Sequence, residues 1–195
     1  MQPEKLRFLL QTEIGILTLA VIADSFTIAW FSSALHNKLA VKLDAKLPLA
    51  FSSARTVFMA VGLGAGFYAA ALFPDFSSLT GLFLLSIVGI KLGIESVNFN
   101  PEEKVILIDN HKTMVLLAIA GSANTFFAGI ALGLAGVSIA TPLIIVLIVT
   151  ALLTYAGIKA GKYKGYKPRI KYTGLVSGVV IVAIVIRHLV QHFLI

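Results

Sequence analysis

Residues 19–29 read LAVIADSFTIA, and residues 119–129 read IAGSANTFFAG. Aligning Asp24 with Asn124 also pairs Ser25 with Thr125 and one phenylalanine with another, so both stretches share Ala-[Asp/Asn]-[Ser/Thr]-Phe. Each copy places a short polar side chain near the centre of a long apolar segment. Self-similarity at a fixed offset indicates an internal repeat. We therefore expect two related halves that each carry one polar centre.

The composition around these stretches is that of an integral membrane protein. The 195 residues are 58% apolar and 13% charged, with a mean hydropathy of +0.94. Soluble domains contain about 45–50% apolar and about 25% charged residues, and disordered chains are less hydrophobic still. The chain has no cysteine, which excludes a disulfide scaffold, a thiolate zinc site and a cysteine nucleophile.

Six segments are long enough to cross a bilayer, which takes about 20 mostly apolar residues. We place them at residues 14–35, about 47–74, 79–97, two within the uncharged stretch 113–158, and about 172 to the C-terminus. The two central spans are joined by a short turn around residues 135–138. The first apolar run is too long for a signal peptide, so we interpret it as a retained first helix.

The repeat and the spans together predict the architecture. The second copy begins three spans after the first, and an odd offset means that the halves have opposite topology. We predict an all-α integral membrane protein with six transmembrane helices forming two inverted three-helix repeats in a single membrane domain. Repeat 1 covers about residues 8–97, repeat 2 about residues 113–195, and residues 98–112 form a linking cytoplasmic loop. Such repeats are typical of secondary transporters with a site near the bilayer midplane.

The basic residues predict the orientation. Of the 16 lysines and arginines, 13 lie in or beside loops 1, 3 and 5, including Arg55 and Lys91, and only Lys5, Arg7 and Arg187 lie on the other side. By the positive-inside rule, loops 1, 3 and 5 are cytoplasmic and both termini are outside. We expect a multi-pass plasma-membrane protein whose partners are the lipid bilayer and a small inorganic cation, with no nucleic acid. A further copy of the same chain, in a homo-oligomer, is also considered as a partner.

The deep polar side chains are the candidate site. A carboxylate at mid-bilayer costs about 2.5–3.5 kcal/mol on insertion scales, so Asp24 calls for an explanation. One interpretation is an ion site in which Asp24 and Asn124 are the metal ligands and Ser25, Thr125 and Ser122 supply hydroxyls. Oxygen ligands suit hard divalent ions such as Mn²⁺, Mg²⁺ and Ca²⁺. The alternative is that Asp24 and Asn124 hydrogen-bond to each other and join two helices.

Two further pairs stand four residues apart. Lys91 and Glu95 on span 3 can pair on one helix face, and we favour this structural pair over an element of the ion path. His188 and His192 near the C-terminus have the spacing of two metal ligands on a helix. We interpret them instead as the polar end of span 6 at the membrane interface.

Glycines four residues apart predict close helix packing. Small residues at this spacing let membrane helices approach one another. The pairs lie on spans 2, 3, 4 and 6, at positions 62 and 66, 89 and 93, 129 and 133, and 174 and 178.

The order and spacing of these motifs resemble the MntP-type manganese efflux pump family of the lysine-exporter superfamily. The resemblance covers about residues 14–194 and rests on Asp24-Ser-Phe, Arg55-Thr56, the span 3 run with Gly89, Lys91 and Glu95, Ala-Asn124-Thr-Phe and Gly161-Lys162. It implies a six-helix exporter of Mn²⁺ or a similar divalent cation, with both termini outside and no resident cofactor.

The chain departs from the family pattern at two positions. Asn124 stands where the family usually has an aspartate. As we align span 2, Gly64 stands where the family has a glutamate. Asp24 is then the only deep carboxylate in the sequence.

Three classes of function follow. The leading hypothesis is a secondary transporter that exports a divalent cation, most simply Mn²⁺, by alternating access. Within transport, the alternative is an exporter of amino acids or other small polar solutes, in which Asp24 faces an amine. A second class is a non-transporting membrane scaffold that retains the fold. An enzyme is not expected, because the sequence has no Gly-x-Ser-x-Gly elbow and no paired catalytic aspartates.

Overall fold

The computed structural model describes residues 3–35, 41–74, 77–98 and 111–194, and within these ranges the chain is helical apart from short turns. The helices are α1 (Pro3–Ile22), α2 (Asp24–Leu35), α3 (Val41–Leu72), α4 (Ser77–Val97), α5 (His111–Gly121), α6 (Ala123–Leu134), α7 (Ala140–Lys164) and α8 (Thr173–Leu194), with a short 3-10 helix at Pro168–Tyr172. The predicted helical class is confirmed. The linking loop predicted over residues 98–112 lies almost entirely outside the described residues.

The predicted number of spans is also confirmed. Six segments of the described chain are long and apolar enough to cross a membrane: Glu13–Ala34, Lys46–Leu72, Ser77–Val97, Met114–Leu134, Ala140–Lys164 and Pro168–Val190. Large apolar side chains such as Leu49, Phe83 and Leu152 are exposed on the outer surface. In water such a surface would promote aggregation, whereas in a bilayer it contacts lipid tails, which are as apolar as leucine. The protein is a multi-pass membrane protein.

Several helix ends differ from the predicted boundaries. The second span belongs to α3, which begins at Val41, and α7 continues to Lys164, beyond the uncharged stretch. Lysine side chains can lie along apolar surface while their charged ends reach the interface, so charges do not end these helices. The turn between α6 and α7 lies where it was predicted, and Gly136 adopts the left-handed φ of 71° that this turn requires.

Two of the spans are broken at corresponding places. The first span is interrupted at Ala23, between α1 and α2, and the fourth at Ser122, between α5 and α6. Asp24 and Asn124 follow within two residues. Serine, aspartate and asparagine compete with the helical backbone for hydrogen bonds and favour helix starts over helix interiors. This local chemistry explains why both breaks fall at the repeated motif.

Glycines on α3 bring it against the backbone of α6. A Cβ atom added to Gly62 would lie under 3.0 Å from the carbonyl oxygen of Phe126, and one added to Gly66 would lie equally close to that of Ile130. Real Cβ atoms essentially never approach so closely. The predicted close packing of spans 2 and 4 is confirmed.

A second crossing, between α7 and α2, has the same form. Cβ atoms added to Gly157 and Gly161 would lie under 3.0 Å from the carbonyl oxygens of Phe26 and Trp30, respectively. These two carbonyls stand 100 positions before the carbonyls of residues 126 and 130 that face α3. The two crossings therefore use corresponding positions of the repeated motif.

The remaining glycine pairs bring α4 against α8. A Cβ at Gly178 would lie under 3.0 Å from the Gly89 carbonyl oxygen, whereas a Cβ at Gly93 would have only one ordinary contact, 3.7 Å from Leu175 Cδ1. A Cβ at Gly174 would lie 3.0 Å from Ser96 Cβ. The close approach at Gly93 involves its backbone, because a Cβ at Gly178 would lie 2.9 Å from the Gly93 amide nitrogen.

Candidate functional site

Asp24, the first residue of α2, is bound to Arg55 of α3. Its Oδ2 accepts a hydrogen bond of 2.9 Å from Arg55 Nη2, and its Oδ1 forms an ion-pair contact of 2.9 Å with Nη1. Arg55 is fully buried, and the Asp24 side chain is 20% exposed. Asp24 Oδ1 has no hydrogen-bond partner among the described residues, so the pair consists of one charge-assisted hydrogen bond and one ion-pair contact. The deep carboxylate is therefore neutralised by a neighbouring helix.

The sequence interpretation of Arg55 as a charge flanking the cytoplasmic side is wrong. Arg55 lies inside the membrane-capable segment Lys46–Leu72 and has no exposed surface. A buried guanidinium is tolerated when a carboxylate neutralises it, although Nε of Arg55 has no hydrogen-bond partner among the described residues. Its partner Asp24 lies 31 residues earlier on another helix, so nothing local to Arg55 in the sequence marks the pair.

The same guanidinium reaches the second copy of the motif. Arg55 Nη1 donates hydrogen bonds of 3.5 Å to the carbonyl oxygen of Val21 and to Oγ1 of Thr125. Val21 precedes the break in the first span, and Thr125 follows the break in the fourth. Arg55 thus connects the two broken spans.

Asn124 is bound by two side chains of α4. Its Oδ1 accepts a hydrogen bond of 2.6 Å from Lys91 Nζ, and its Nδ2 donates one of 2.8 Å to Glu95 Oε2. Lys91 and Glu95 also form the predicted ion pair, with 3.3 Å between Nζ and Oε1. The residue Asn124 is 5% exposed. The pair is thus part of a three-residue cluster, a contact that the i, i+4 spacing alone did not predict.

The three hydroxyls proposed as ligands have different surroundings. Ser25, Thr125 and Ser122 are all fully buried. Thr125 shares Arg55 with Asp24, Ser122 Oγ donates a 2.6 Å hydrogen bond to the Ala118 carbonyl oxygen, and Ser25 Oγ has no hydrogen-bond partner among the described residues. Ser25 and Thr125 lie beside the polar centres, whereas Ser122 satisfies the backbone at the break.

The structure separates Asp24 and Asn124 into two networks. Asp24 pairs with Arg55, and Asn124 pairs with Lys91 and Glu95, so the direct Asp24–Asn124 hydrogen bond considered as an alternative is wrong. The four charged groups give a formal charge of zero, and each candidate oxygen donor is bound by a basic side chain. Within the described ranges, no group of three or more histidine, aspartate and glutamate side chains could hold a metal ion.

Comparison with protein families identifies the relatives of this chain. A family model described as "Putative manganese efflux pump" matches residues 38–189, which is most of the chain. The chain belongs to this family. Its relatives are named as efflux pumps, which are transporters rather than enzymes, and manganese is in that description a transported substrate rather than a cofactor.

Curated members of the family are similar over nearly the whole chain. A protein of Clostridium botulinum (strain Hall), named "Putative manganese efflux pump MntP 2", is 26% identical over 91% of this chain and 92% of its own. "Putative manganese efflux pump MntP 1" of Wolinella succinogenes is 25% identical over 92% of this chain and 97% of its own. "Putative manganese efflux pump MntP" of Clostridium perfringens (strain 13) is 26% identical over 87% of this chain and 89% of its own. No solved structure matches the chain.

Of the two departures from the family pattern, only Asn124 lies at a polar centre. Position 64 is on the exposed face of α3, and a Cβ built on Gly64 would meet no other heavy atom within 4 Å. With α3 oriented as it is here, a side chain at position 64 extends outwards rather than towards Asp24.

Proposed function

We propose that this chain is a secondary transporter that exports Mn²⁺ by alternating access, with Asp24 and Asn124 as ligands and Ser25, Thr125 and Ser122 as supporting hydroxyls. The observation that carries this proposal is that Asp24 and Asn124 each lie within two residues after a one-residue helix break and that each is bound by a basic side chain, Arg55 or Lys91. Discontinuous helices form the midplane ion sites of many secondary transporters.

The basic side chains have a defined part in this proposal. A guanidinium or an ammonium satisfies the same oxygen atoms that a metal ion requires. In a site of low dielectric constant, an unpaired carboxylate is costly, so Arg55 holds Asp24 when no ion is bound. An arriving cation competes with Arg55 for Asp24 and with Lys91 for Asn124. The four charged groups sum to zero before the ion binds, so binding of a dication requires Arg55 and Lys91 to move away from the oxygen atoms that they hold.

Two inverted repeats supply the motion in this proposal. The matching breaks at Ala23 and Ser122 and the matching crossings of α3 with α6 and of α7 with α2 support a pseudo-twofold relation between the halves. Rocking of one repeat against the other would expose the site to each side in turn. The charge distribution continues to favour cytoplasmic loops 1, 3 and 5 after Arg55 and Lys91 are set aside, because 11 basic residues remain on that side.

Efflux from loaded vesicles tests the proposal directly. Purified protein in proteoliposomes is expected to move Mn²⁺ down an imposed gradient, and excess lysine or arginine is expected not to compete. The charged groups of both signs at the site favour one second candidate, an exporter of zwitterionic amino acids. Inhibition of Mn²⁺ flux by lysine, or lysine flux without Mn²⁺ flux, would support that candidate instead.

Replacing Arg55 by glutamine is expected to tighten Mn²⁺ binding. The substitution removes the positive charge that lies 2.9 Å from both Asp24 oxygens, and we expect about tenfold higher affinity, equivalent to about 1.4 kcal/mol. The measurement is the rise in melting temperature on adding Mn²⁺. Arg169→Gln, at an exposed arginine, is the matched control and should leave this rise unchanged. An Arg55→Gln response no larger than that of the wild type would contradict the competition.

Replacing Asn124 by aspartate is expected to lower the melting temperature of the protein without Mn²⁺ and to increase the rise in melting temperature when Mn²⁺ is added. The new carboxylate loses the hydrogen bond that Nδ2 donates to Glu95 and places two like charges side by side. A divalent cation relieves this repulsion, so the Mn²⁺-dependent rise in melting temperature should exceed that of the wild type.

The control for this substitution adds the same charge elsewhere on the protein. Asn98 is exposed at the end of α4, and Asn98→Asp should change neither the melting temperature nor the response to Mn²⁺. Equal responses of the Asn124→Asp and Asn98→Asp variants would remove Asn124 from the proposed ligand set.

A further inference from the structure

A second group of ionisable side chains lies away from the candidate site, between α1 and α8. Glu13 Oε1 accepts a hydrogen bond of 2.5 Å from Arg187 Nη1, and Glu13 Oε2 lies 3.6 Å from Nδ1 of His188. The Glu13 side chain is 12% exposed and that of His188 is fully buried. Glu13 begins the first membrane-capable segment, and His188 lies near the end of the last. His188 therefore lies at the end of its span, as predicted for an interfacial polar end, but its ring is buried inside the protein, and the side chain of His192 lies outside the described part of the chain.

The hydrogen bonds of His188 define its neutral form. Its Nδ1 lies 2.9 Å from the Ile184 carbonyl oxygen, and a carbonyl oxygen can only accept, so Nδ1 carries the hydrogen. Nε2 then presents a lone pair, and this buried atom has no hydrogen-bond partner in the described chain. Glu13 Oε2 is likewise buried without a hydrogen bond. One vacant basic atom and one carboxylate with an unused oxygen form a unit that can accept a proton.

The helices that pack against α8 carry the following charged groups among the side chains that the structure describes. Helix α1 contributes Glu13. Helix α2 contributes Asp24, which Arg55 neutralises, and α4 contributes Lys91 and Glu95, which pair with each other and Asn124. The 3-10 helix contributes Arg169 and Lys171, which lie at the opposite end of α8. On α8 itself, Arg187 is half-exposed and pairs with Glu13. Glu13 is therefore the carboxylate that faces His188.

We propose that the Glu13–His188 pair is a proton-binding site through which protons entering from the non-cytoplasmic side drive cation export. The inference rests on the proposed function, since it supplies the coupling ion for that transport. A proton from solution binds the lone pair of His188 Nε2, and the imidazole changes from neutral to a charge of +1, balanced by Glu13.

Helix α1 connects this pair to the candidate site. Glu13 lies within α1. Val21, whose carbonyl oxygen accepts a hydrogen bond from Arg55, is one residue before the end of the same helix. Protonation of His188 adds a second cation facing Glu13 and tightens the contact between α1 and α8. Any movement of α1 is transmitted to the break at Ala23 and to the Asp24–Arg55 pair. The two sites therefore share one helix as their mechanical link.

Proton counter-movement during Mn²⁺ export tests the inference. The full-length protein is reconstituted in vesicles, with Mn²⁺ on one side and a pH-sensitive dye inside. The wild type should move protons against Mn²⁺, and an imposed pH gradient should speed the flux. His188→Gln should lower proton counter-movement by about tenfold or more and leave the Mn²⁺ flux independent of pH between pH 5 and 8. Ser177→Ala, at a buried residue of α8 that also bonds to the carbonyl four residues earlier, should behave like the wild type.

Two charge variants separate proton binding from a structural role. Glu13→Gln removes the carboxylate that balances the imidazolium, so proton counter-movement should fall. Arg187→Gln removes a second cation that binds Glu13, so proton counter-movement should rise. A structural role predicts no such opposition. These variants also decide the question if His188→Gln does not fold.

The outcomes distinguish the inference from the function on which it rests. Mn²⁺ flux without proton movement in the wild type, or an unchanged pH profile in His188→Gln, would overturn the proton site and leave manganese export standing. Absence of Mn²⁺ flux in the wild type would overturn both.

Discussion

Asp24→Asn is expected to abolish Mn²⁺ export and to destabilise the protein. The substitution removes the carboxylate that we propose as the principal ligand and leaves the fully buried Arg55 without a counter-charge. Removing one partner of a buried ion pair typically costs about 3–5 kcal/mol, a large fraction of the stability of a domain. The measurements are Mn²⁺ efflux from vesicles and the melting temperature of the purified protein. Normal efflux by the Asp24→Asn variant would refute the proposed site.

A double variant separates the two effects. Asp24→Asn combined with Arg55→Met removes both charges and fills the space with an apolar side chain of similar length, so the stability should recover most of its loss. Export should stay absent, because the carboxylate ligand is still missing. If the double variant instead regains both stability and export, Asp24 serves only to hold helices together. If substitutions at Asp24 and Asn124 change the folding yield and neither the variants nor the wild type show flux, the scaffold hypothesis gains support.

Gly66→Ala is expected to destabilise the packing of α3 on α6 severely. The added Cβ would lie under 3.0 Å from three backbone atoms, the carbonyl oxygen of Ile130, the Cα of Gly133 and the amide nitrogen of Leu134. Backbone atoms cannot move aside as a flexible side chain can. Overpacking of this kind costs about 1–3 kcal/mol or more. Thermal unfolding in detergent and the yield of monodisperse protein measure the loss.

The matched control for Gly66→Ala lies two residues earlier on the same helix. A Cβ at Gly64 would meet no heavy atom within 4 Å, and alanine is the better helix former by about 0.8–1.0 kcal/mol. Gly64→Ala should therefore leave stability unchanged or raise it slightly. Gly157→Ala on α7 should resemble Gly66→Ala, since its Cβ would lie 2.6 Å from the Phe26 carbonyl oxygen. Equal behaviour of Gly64→Ala and Gly66→Ala would contradict the close approach of the helices.

The sequence was sufficient for those parts of the fold that depend on local composition. The length of each apolar segment predicts the six spans, and glycine spacing predicts close-packing faces on spans 2, 3, 4 and 6, although not which of these helices meet. The spacing of Lys91 and Glu95 predicts their ion pair, because i and i+4 side chains share one helix face. Each of these features follows from neighbours in the chain or from the 3.6-residue helical period.

The contacts of the site depend on tertiary structure and could not be predicted in the same way. Arg55 has the appearance of a flanking basic residue until the fold brings Asp24 to within 2.9 Å. Asn124 reaches Lys91 and Glu95, about thirty positions away, by the packing of α6 on α4. The helix breaks left a local signal, since polar residues that disfavour helix interiors cluster at both motifs. The same polar residues also fit a set of metal ligands, so the sequence alone does not predict that the helices break there.

The two breaks have different consequences for how the chain is made. Helices α2 and α6 have 12 residues each, about 18 Å at 1.5 Å per residue, so neither half-helix crosses a bilayer alone. Lys91 and Glu95, the partners of Asn124, precede it in the chain and leave the ribosome first. Asp24 has the reverse order, because Arg55 is synthesised 31 residues after it. We therefore expect the first span to stay in the translocon until α3 has been synthesised. Span 1 and α3 should then enter the lipid together as a helical hairpin.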